Sequence, residues 1–370
     1  MTTLERCFNI ADMREEALRR LPKGIFEFID RGAEDDDAMR NNREGFRKIR
    51  LRPHSVVDVS KRSSATELFG RKLGMPFAIA PTGAAGLVCY RGEVALAQAA
   101  AEAQIPFTLA TRSMGAIKDL SAAGGVLWFQ LYMWREREMT YELVERVNAA
   151  GIDALIVTID VPVHGNREFN KRNGFTLPFR ISPRSMGDMI AHPRWLTSVI
   201  GSYYLKDGGM PDYESHPGIA DNVIWDDIKE LRKRWPRTLM VKGILRPEDA
   251  VRAVECGADA VIVSNHGGRG LDTAIATIDA LPEIINAVGN RAVVLMDSGV
   301  RRGSDIVKAL SLGAKAVLSG RPTLYGLAVG GREGAAQVLS IFHHELLTTM
   351  GQIGCPSIDK LGPQVLVYPS

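Results

Sequence analysis

Cysteine is scarce in this chain. The 370 residues hold four, Cys7, Cys89, Cys256 and Cys355, far apart and with no CxxC pair. Their spacing argues against a zinc site or a disulfide framework and suits a reducing, cytoplasmic setting. No apolar run approaches the roughly 18 residues that span a bilayer, so any membrane contact is expected to be peripheral. Met1 to Arg6 leads directly into an amphipathic segment with charges throughout, the pattern expected of a chain without a secretory signal. An excess of one charge is also missing: 46 Lys and Arg against 43 Asp and Glu leave a formal net charge of +3. There is thus no concentrated positive field to bind nucleic acid. A GxGxxG turn between a first strand and helix is absent as well, which removes the signature of an open dinucleotide-binding sheet.

What is present is a rhythm. Hydrophobic residues make up 45% of the chain, enough to bury a full core. Short apolar runs recur at Pro76–Thr82, Pro106–Thr111, Val126–Tyr132, Ala154–Asp160, Thr238–Ile244, Asp259–Asn265, Ala292–Gly299 and Ala316–Arg321. Helix-period segments such as Glu93–Ala100, Tyr141–Val147, Asp249–Val254 and Ser304–Leu310 lie between them. Strands apolar on both faces and alternating with helices make a parallel sheet covered by helices. Eight units over about residues 76–330 predict an α/β fold, a closed (β/α)8 TIM barrel, with the open doubly wound sheet as its rival. Residues 1–370 are read as a single domain. Ahead of the barrel, helical patterns run over Asn9–Arg20 and Ile25–Ile29, followed by an acidic link at Glu34–Asp37 and an irregular region to about residue 74. A long insertion over about 161–224 follows the fourth run. It is open to reading as a lid, a binding loop, a partner contact or, through the Trp, Tyr and Leu content of 188–215, a membrane-surface contact.

In such barrels the active site forms where the strands end at their C-termini. Here the runs close on Thr82-Gly83, Thr111, Gln130 and Tyr132, Thr158 and Asp160, Lys242, Ser264 and His266, Asp297 and Gly299, and Gly320-Arg321. Packing alone does not place a polar group at one end of every strand. Asp297–Gly303 and Ser319–Arg321 offer backbone N–H groups, guanidinium groups and a helix start at Ser304, a constellation suited to phosphate. Thr82, Gln130 and Thr158 suit the donors and acceptors of a planar heterocycle. Lys242 suits a cofactor that becomes anionic on reduction, or else a barrel-interior ion pair. His266, taken alone in a loop, reads first as an ordinary histidine and second as an acid–base group.

The stretches Ser264-Asn265-His266-Gly267-Gly268-Arg269 with Leu271-Asp272, Asp297–Gly303, Val241-Lys242-Gly243, Phe129–Tyr132 and Leu21-Pro22-Lys23 closely resemble the FMN-dependent 2-hydroxy acid oxidases and dehydrogenases. Trp128–Tyr132, His192–Trp195 and Gln352–Pro356 draw the resemblance toward the (S)-mandelate dehydrogenase branch. It implies FMN as cofactor and oxidation of an (S)-2-hydroxy acid, aromatic and mandelate-like, to the 2-keto acid. It further implies His266 as base, Asp160 as its support, Arg269 and Arg167 as a substrate-carboxylate clamp, and Tyr132 on the substrate oxygen. Lys242 would stand beside the flavin. Thr82, Gly83, Gln130, Thr158 and Ser264 would contact the ring system, with Asp297, Gly299, Arg301, Gly320 and Arg321 on the ribityl chain and phosphate.

By the same resemblance the electron acceptor is a quinone, an electron-transfer chain or dioxygen, and the assembly a homotetramer. The enzyme would be cytoplasmic or peripheral on the inner face of a membrane. Three positions depart from the family pattern. Phe28, in the substrate-binding region, replaces a tyrosine, Ala110 a serine, and Gly270 a glutamine. Gly83 follows the mandelate dehydrogenase pattern where several relatives carry alanine, which inclines the reading from oxidase toward dehydrogenase.

Overall fold

The computed structural model describes residues 2–176, 179, 183–211 and 218–368. Eight parallel strands close a barrel: β1 (Phe77–Ile79), β2 (Phe107–Ala110), β3 (Leu127–Leu131), β4 (Ala154–Thr158), β5 (Thr238–Ile244), β6 (Ala260–Val263), β7 (Val293–Met296) and β8 (Val317–Ser319). Each expected apolar run contains one of them. β8 returns to pair with β1, Val317 opposite Phe77 and Ser319 opposite Ile79.

Strand periodicity explains both the core and the site. Phe77, Ile79, Phe107, Leu109, Phe129, Leu155, Val157, Val241, Val261 and Val263 point outward and pack beneath the helices. Burying each such side chain contributes about 1.5–3 kcal/mol. The alternate residues, including Ala78, Ala80, Ile156, Met240, Ile262, Leu295 and Leu318, fill the barrel interior. A hairpin, Thr66–Leu68 paired with Arg71–Leu73, adds Leu68 and Leu73 to that interior cluster. Continued two residues at a time toward the C-terminal ends, the same inward rows become polar.

Two helices precede the barrel as expected, α1 (Ile10–Arg20) and α2 (Lys23–Asp30). The Asn9 side chain caps α1 by accepting from the Ala11 and Asp12 amides at 2.8 and 3.0 Å, a type of cap worth about 1 kcal/mol. The region expected to be irregular up to residue 74 instead contains α3 (Asp37–Lys48) and the hairpin. The acidic link obscured α3, because its start is capped from a distance. Asp272 accepts from the Asp35 and Ala38 amides at 3.0 and 3.2 Å.

The insertion after β4 is largely helical where described, at Glu168–Asn173, Pro183–Ala191 and Pro193–Lys206. Of its aromatic residues, Trp195 and Tyr203 are buried rather than presented to a surface; the Trp195 indole donates to Leu87 O at 2.8 Å. Residues 212–215, the end of the stretch expected to meet a membrane, lie outside the described residues.

Candidate active site

The C-terminal mouth of the barrel opens into a cavity of about 1170 Å³, open mouth included, lined by residues from every strand end. That is large enough for a bulky cofactor together with a small acid.

His266 lines this cavity. Its backbone and that of Gly267 both take left-handed angles, φ 57° and 65°, and this turns the chain sharply at the end of β6. A side chain at Gly267 would meet the Arg321 guanidinium at 2.5 Å. The imidazole Nδ1 lies 2.9 Å from Asp160 Oδ1. Burial alone would raise the Asp160 carboxyl, but the adjacent His266 and Lys242 charges hold it below the ordinary range. A carboxylate can only accept, so Nδ1 carries a proton, and in the neutral imidazole Nε2 is the acceptor. Tyr132 Oη stands 3.3 Å from that Nε2. Burial pushes the His266 pKa below its usual value; Asp160 opposes the fall, and Lys242 and Arg167 add to it. Gly243, at φ 107°, makes room for Asp160, whose Cβ would lie 2.5 Å from a Cβ at that position.

Lys242 is 3% exposed. Its ammonium lies 3.1 Å from Asp297 Oδ2 and donates to Ser264 Oγ at 2.8 Å. Burial opposes its charge, but Asp297 and Asp160 overcome that and raise its pKa. It is therefore a fixed cation held in a barrel-interior ion pair. Ser264 Oγ also accepts the His266 amide at 3.0 Å. Ser298 Oγ donates to Asp297 at 2.8 Å and accepts from the Gly267 amide at 2.9 Å. The lysine end and the histidine loop are thereby tied into one unit.

Arg269 donates to Phe28 O and Arg31 O at 2.7 and 2.9 Å, and its guanidinium stacks 5.2 Å from the Phe28 ring. Burial and the like charges of Arg167 and Arg321 pull its pKa well down, an environment that an anion would relieve. Arg167 lines the same wall and donates to Arg269 O at 3.4 Å. Phe28 is buried, 4.8 Å from Phe175, and closes the cavity with an apolar face. Gly270 does not line the cavity, and a Cβ there would approach nothing closer than Asp160 O at 3.3 Å.

Thr82, Gly83, Gln130, Thr158, Asp297, Gly299, Arg301, Gly320 and Arg321 all line the cavity, as does Ala110. Ser264 stands behind it, fully buried. Gln130 Nε2 and Thr158 Oγ1 are buried side-chain atoms without a hydrogen-bond partner, and such atoms in a cavity wall are where a polar heterocycle docks. Arg301, whose pKa burial lowers to about 10, stands with the Gly299 turn at the far end. Arg321 is turned toward α2, donating to Asp30 O and Arg31 O at 2.8 and 3.0 Å. A fixed cation, two orphaned polar groups and a guanidinium-lined end fit a flavin mononucleotide.

Several site residues were not anticipated. Arg112 and His164 line the cavity, whereas Thr111, taken from the sequence as a strand-end group, does not; its hydroxyl donates to Gln130 O at 2.6 Å. The inward row of β2 runs Thr108, Ala110, Arg112, and carrying the alternation two residues past Ala110 would have found the arginine. Asn42 on α3 exchanges amide hydrogen bonds with Asn265 at 2.9 and 2.8 Å, bracing the loop from outside.

Comparison with known proteins agrees with this geometry. The family model described as FMN-dependent dehydrogenase matches residues 17–368. The chain is 40% identical to (S)-mandelate dehydrogenase of Pseudomonas putida, over 98% of this chain and 94% of that one. It is 41% identical to L-lactate oxidase of a Nostoc species, over 99% and 100%. A crystal structure of the monotopic membrane protein (S)-mandelate dehydrogenase superposes with a TM-score of 0.89 at 40% identity, covering 98% of this chain and 99% of that one. This chain belongs to the FMN-dependent dehydrogenase family, flavoenzymes that oxidise 2-hydroxy acids.

Proposed function

We propose that the protein oxidises an (S)-2-hydroxy acid to the 2-keto acid, with an aromatic, mandelate-like acid as first candidate. The observation that carries this is the Asp160–His266–Tyr132 line, with an unprotonated Nε2, set beside two arginines in one cavity. Arg269 and Arg167 take the substrate carboxylate, for which guanidinium groups are geometrically suited. Tyr132 donates to the hydroxyl oxygen, and His266 Nε2 removes a proton from the substrate while Asp160 stabilises the resulting imidazolium. Bound FMN would supply the two-electron acceptor. Lys242 and the orphaned Gln130 and Thr158 groups would hold its ring system, and Arg301, Arg321 and the Gly299 turn its phosphate. The Phe28 ring, backed by Phe175, supplies an apolar face suited to an aromatic side chain.

Anaerobic mixing with (S)-mandelate, (S)-lactate and glycolate tests this. At least one acid bleaches the visible flavin band and yields its keto acid; failure across a broad panel overturns the proposal. A quinone-type acceptor is the favoured oxidant. A Cβ at Gly83 would lie 3.0 Å from Arg112 O, so the alanine of several relatives would be crowded here. Peroxide formed at the turnover rate under air would instead make the enzyme an oxidase. The exposed Ile190, Tyr204 and Leu205 support peripheral membrane contact through the insertion, checked by co-sedimentation with anionic vesicles. A homotetramer is the assembly proposed, checked by light scattering.

A further inference from the structure

The last carbonyls of a helix have no partner within it and carry partial negative charge. At the end of α2 those carbonyls hold two of the site's arginines. Arg269 donates to Phe28 O and Arg31 O, and Arg321 donates to Asp30 O and Arg31 O. Arg31 O serves both, so the position of one helix end sets both guanidinium groups together. The chain leaving α2 is tied to the histidine loop as well, where the Ala33 amide donates to Gly268 O at 2.8 Å.

The group that fixes this helix end lies outside the cavity. The Asp30 side chain is buried. It accepts from Arg14 Nε and Nη2 at 2.7 and 2.6 Å, a two-pronged contact from α1. It also accepts from Tyr325 Oη at 2.7 Å, on the helix Arg321–Gln352 that follows β8. Tyr325 and Arg321 stand one turn apart on that helix, so Asp30 meets it twice, through its carboxylate and through its carbonyl. Burial would raise the Asp30 carboxyl, but Arg14 and Tyr325 hold it below the ordinary range, and it remains a charged acceptor. Arg14, Asp30 and Tyr325 do not line the cavity, and the oxidation scheme uses none of them.

We infer that Asp30 is a positioning residue: its carboxylate, gripped by Arg14 and Tyr325, locks the end of α2 so that the carbonyls there aim Arg269 at the substrate carboxylate and Arg321 at the cofactor phosphate. The inference rests on the 2-hydroxy acid oxidation proposed above for the roles of the two arginines. Asp30 holds neither His266 nor Tyr132, so its loss weakens the grip on two anions and spares the proton step.

The test compares Asp30→Ala, Asp30→Asn and Tyr325→Phe with the parent. Each apoprotein is titrated with FMN and with riboflavin, which lacks the phosphate. Each FMN-loaded enzyme is titrated with the keto acid of its best substrate, and KM and the limiting rate of anaerobic reduction are measured. Loss of one charged contact corresponds to about tenfold or more in affinity. For Asp30→Ala we therefore expect FMN and the keto acid to bind at least about tenfold more weakly and KM to rise alike. Riboflavin affinity and the limiting rate should stay within about threefold of the parent. Asp30→Asn, which keeps an acceptor oxygen, should recover part of each loss. Should Asp30→Ala fail to fold, Tyr325→Phe, which deletes one hydroxyl, should show the same split at smaller size. Equal losses for FMN and riboflavin, a limiting rate that falls while KM holds, or no change in any of these would overturn the assignment. If no 2-hydroxy acid reduces the parent's flavin, the oxidation reading fails by itself, and the FMN and riboflavin titrations then uphold or overturn the role of Asp30.

Discussion

Asp160 Oδ1 and His266 Nδ1 face each other at 2.9 Å, and this contact fixes which imidazole nitrogen can act as base. Asp160 raises the His266 pKa while burial and Lys242 lower it, with a net fall below 6.5. Efficiency should therefore hold at neutral pH and decline along an acid limb whose midpoint lies below 6.5, where Nε2 takes up a proton. Asp160→Asn removes the raising partner, so the midpoint should move further to acid, while reduction slows by about 10²- to 10⁴-fold for want of support to the imidazolium. Stopped-flow reduction across pH reads both effects. A midpoint that moves upward would contradict the charge assignment.

Lys242 and Asp297 form a buried pair 3.1 Å apart. Removing one partner of such a pair costs about 3–5 kcal/mol, because the other charge stays buried alone. Lys242→Met should destabilise the apoprotein to urea by about that amount, and Lys242→Met combined with Asp297→Leu should recover much of it. If the double variant is the less stable, the pair is not the source of the effect.

The fold was legible in the sequence because its signal is periodic and local: all eight runs became strands. The site was legible wherever a polar residue closed a run on the inward row, as at Gln130, Thr158, Lys242 and His266. Thr111 closed its run one residue out of step and so stands outside the cavity, while Arg112, on the right row, followed a turn and was passed over. The helix α3 was hidden for another reason. Its cap comes from Asp272 and its purpose from Asn265, both more than 200 positions away, and no local pattern carries such a partnership.

That partnership has its own test. Asn42→Ala leaves the buried Asn265 amide without its exchange partner, a loss worth about 1–3 kcal/mol. Substrate KM should rise as the His266 loop loosens, and urea unfolding should shift by the stated amount. An unchanged midpoint with unchanged KM would remove Asn42 from the bracing role.

Phe28 lies against Arg269 with its ring 5.2 Å from the guanidinium. Phe28→Tyr adds a hydroxyl beside the proposed carboxylate position. One hydrogen bond of about 0.5–1.5 kcal/mol corresponds to roughly 2- to 10-fold tighter binding of small 2-hydroxy acids. Spectral titration with lactate and glycolate reads this directly, and weaker binding would mean that the ring serves a substrate shape the hydroxyl obstructs.

The most direct test of the central claim is anaerobic reduction of FMN-loaded His266→Gln beside the parent enzyme, using whichever acid bleaches the parent fastest. The variant should retain its flavin and its visible spectrum yet show reduction slowed by at least about 10²-fold, the low end of what a positioned base contributes. Reduction at the parent rate would show that His266 is not the base.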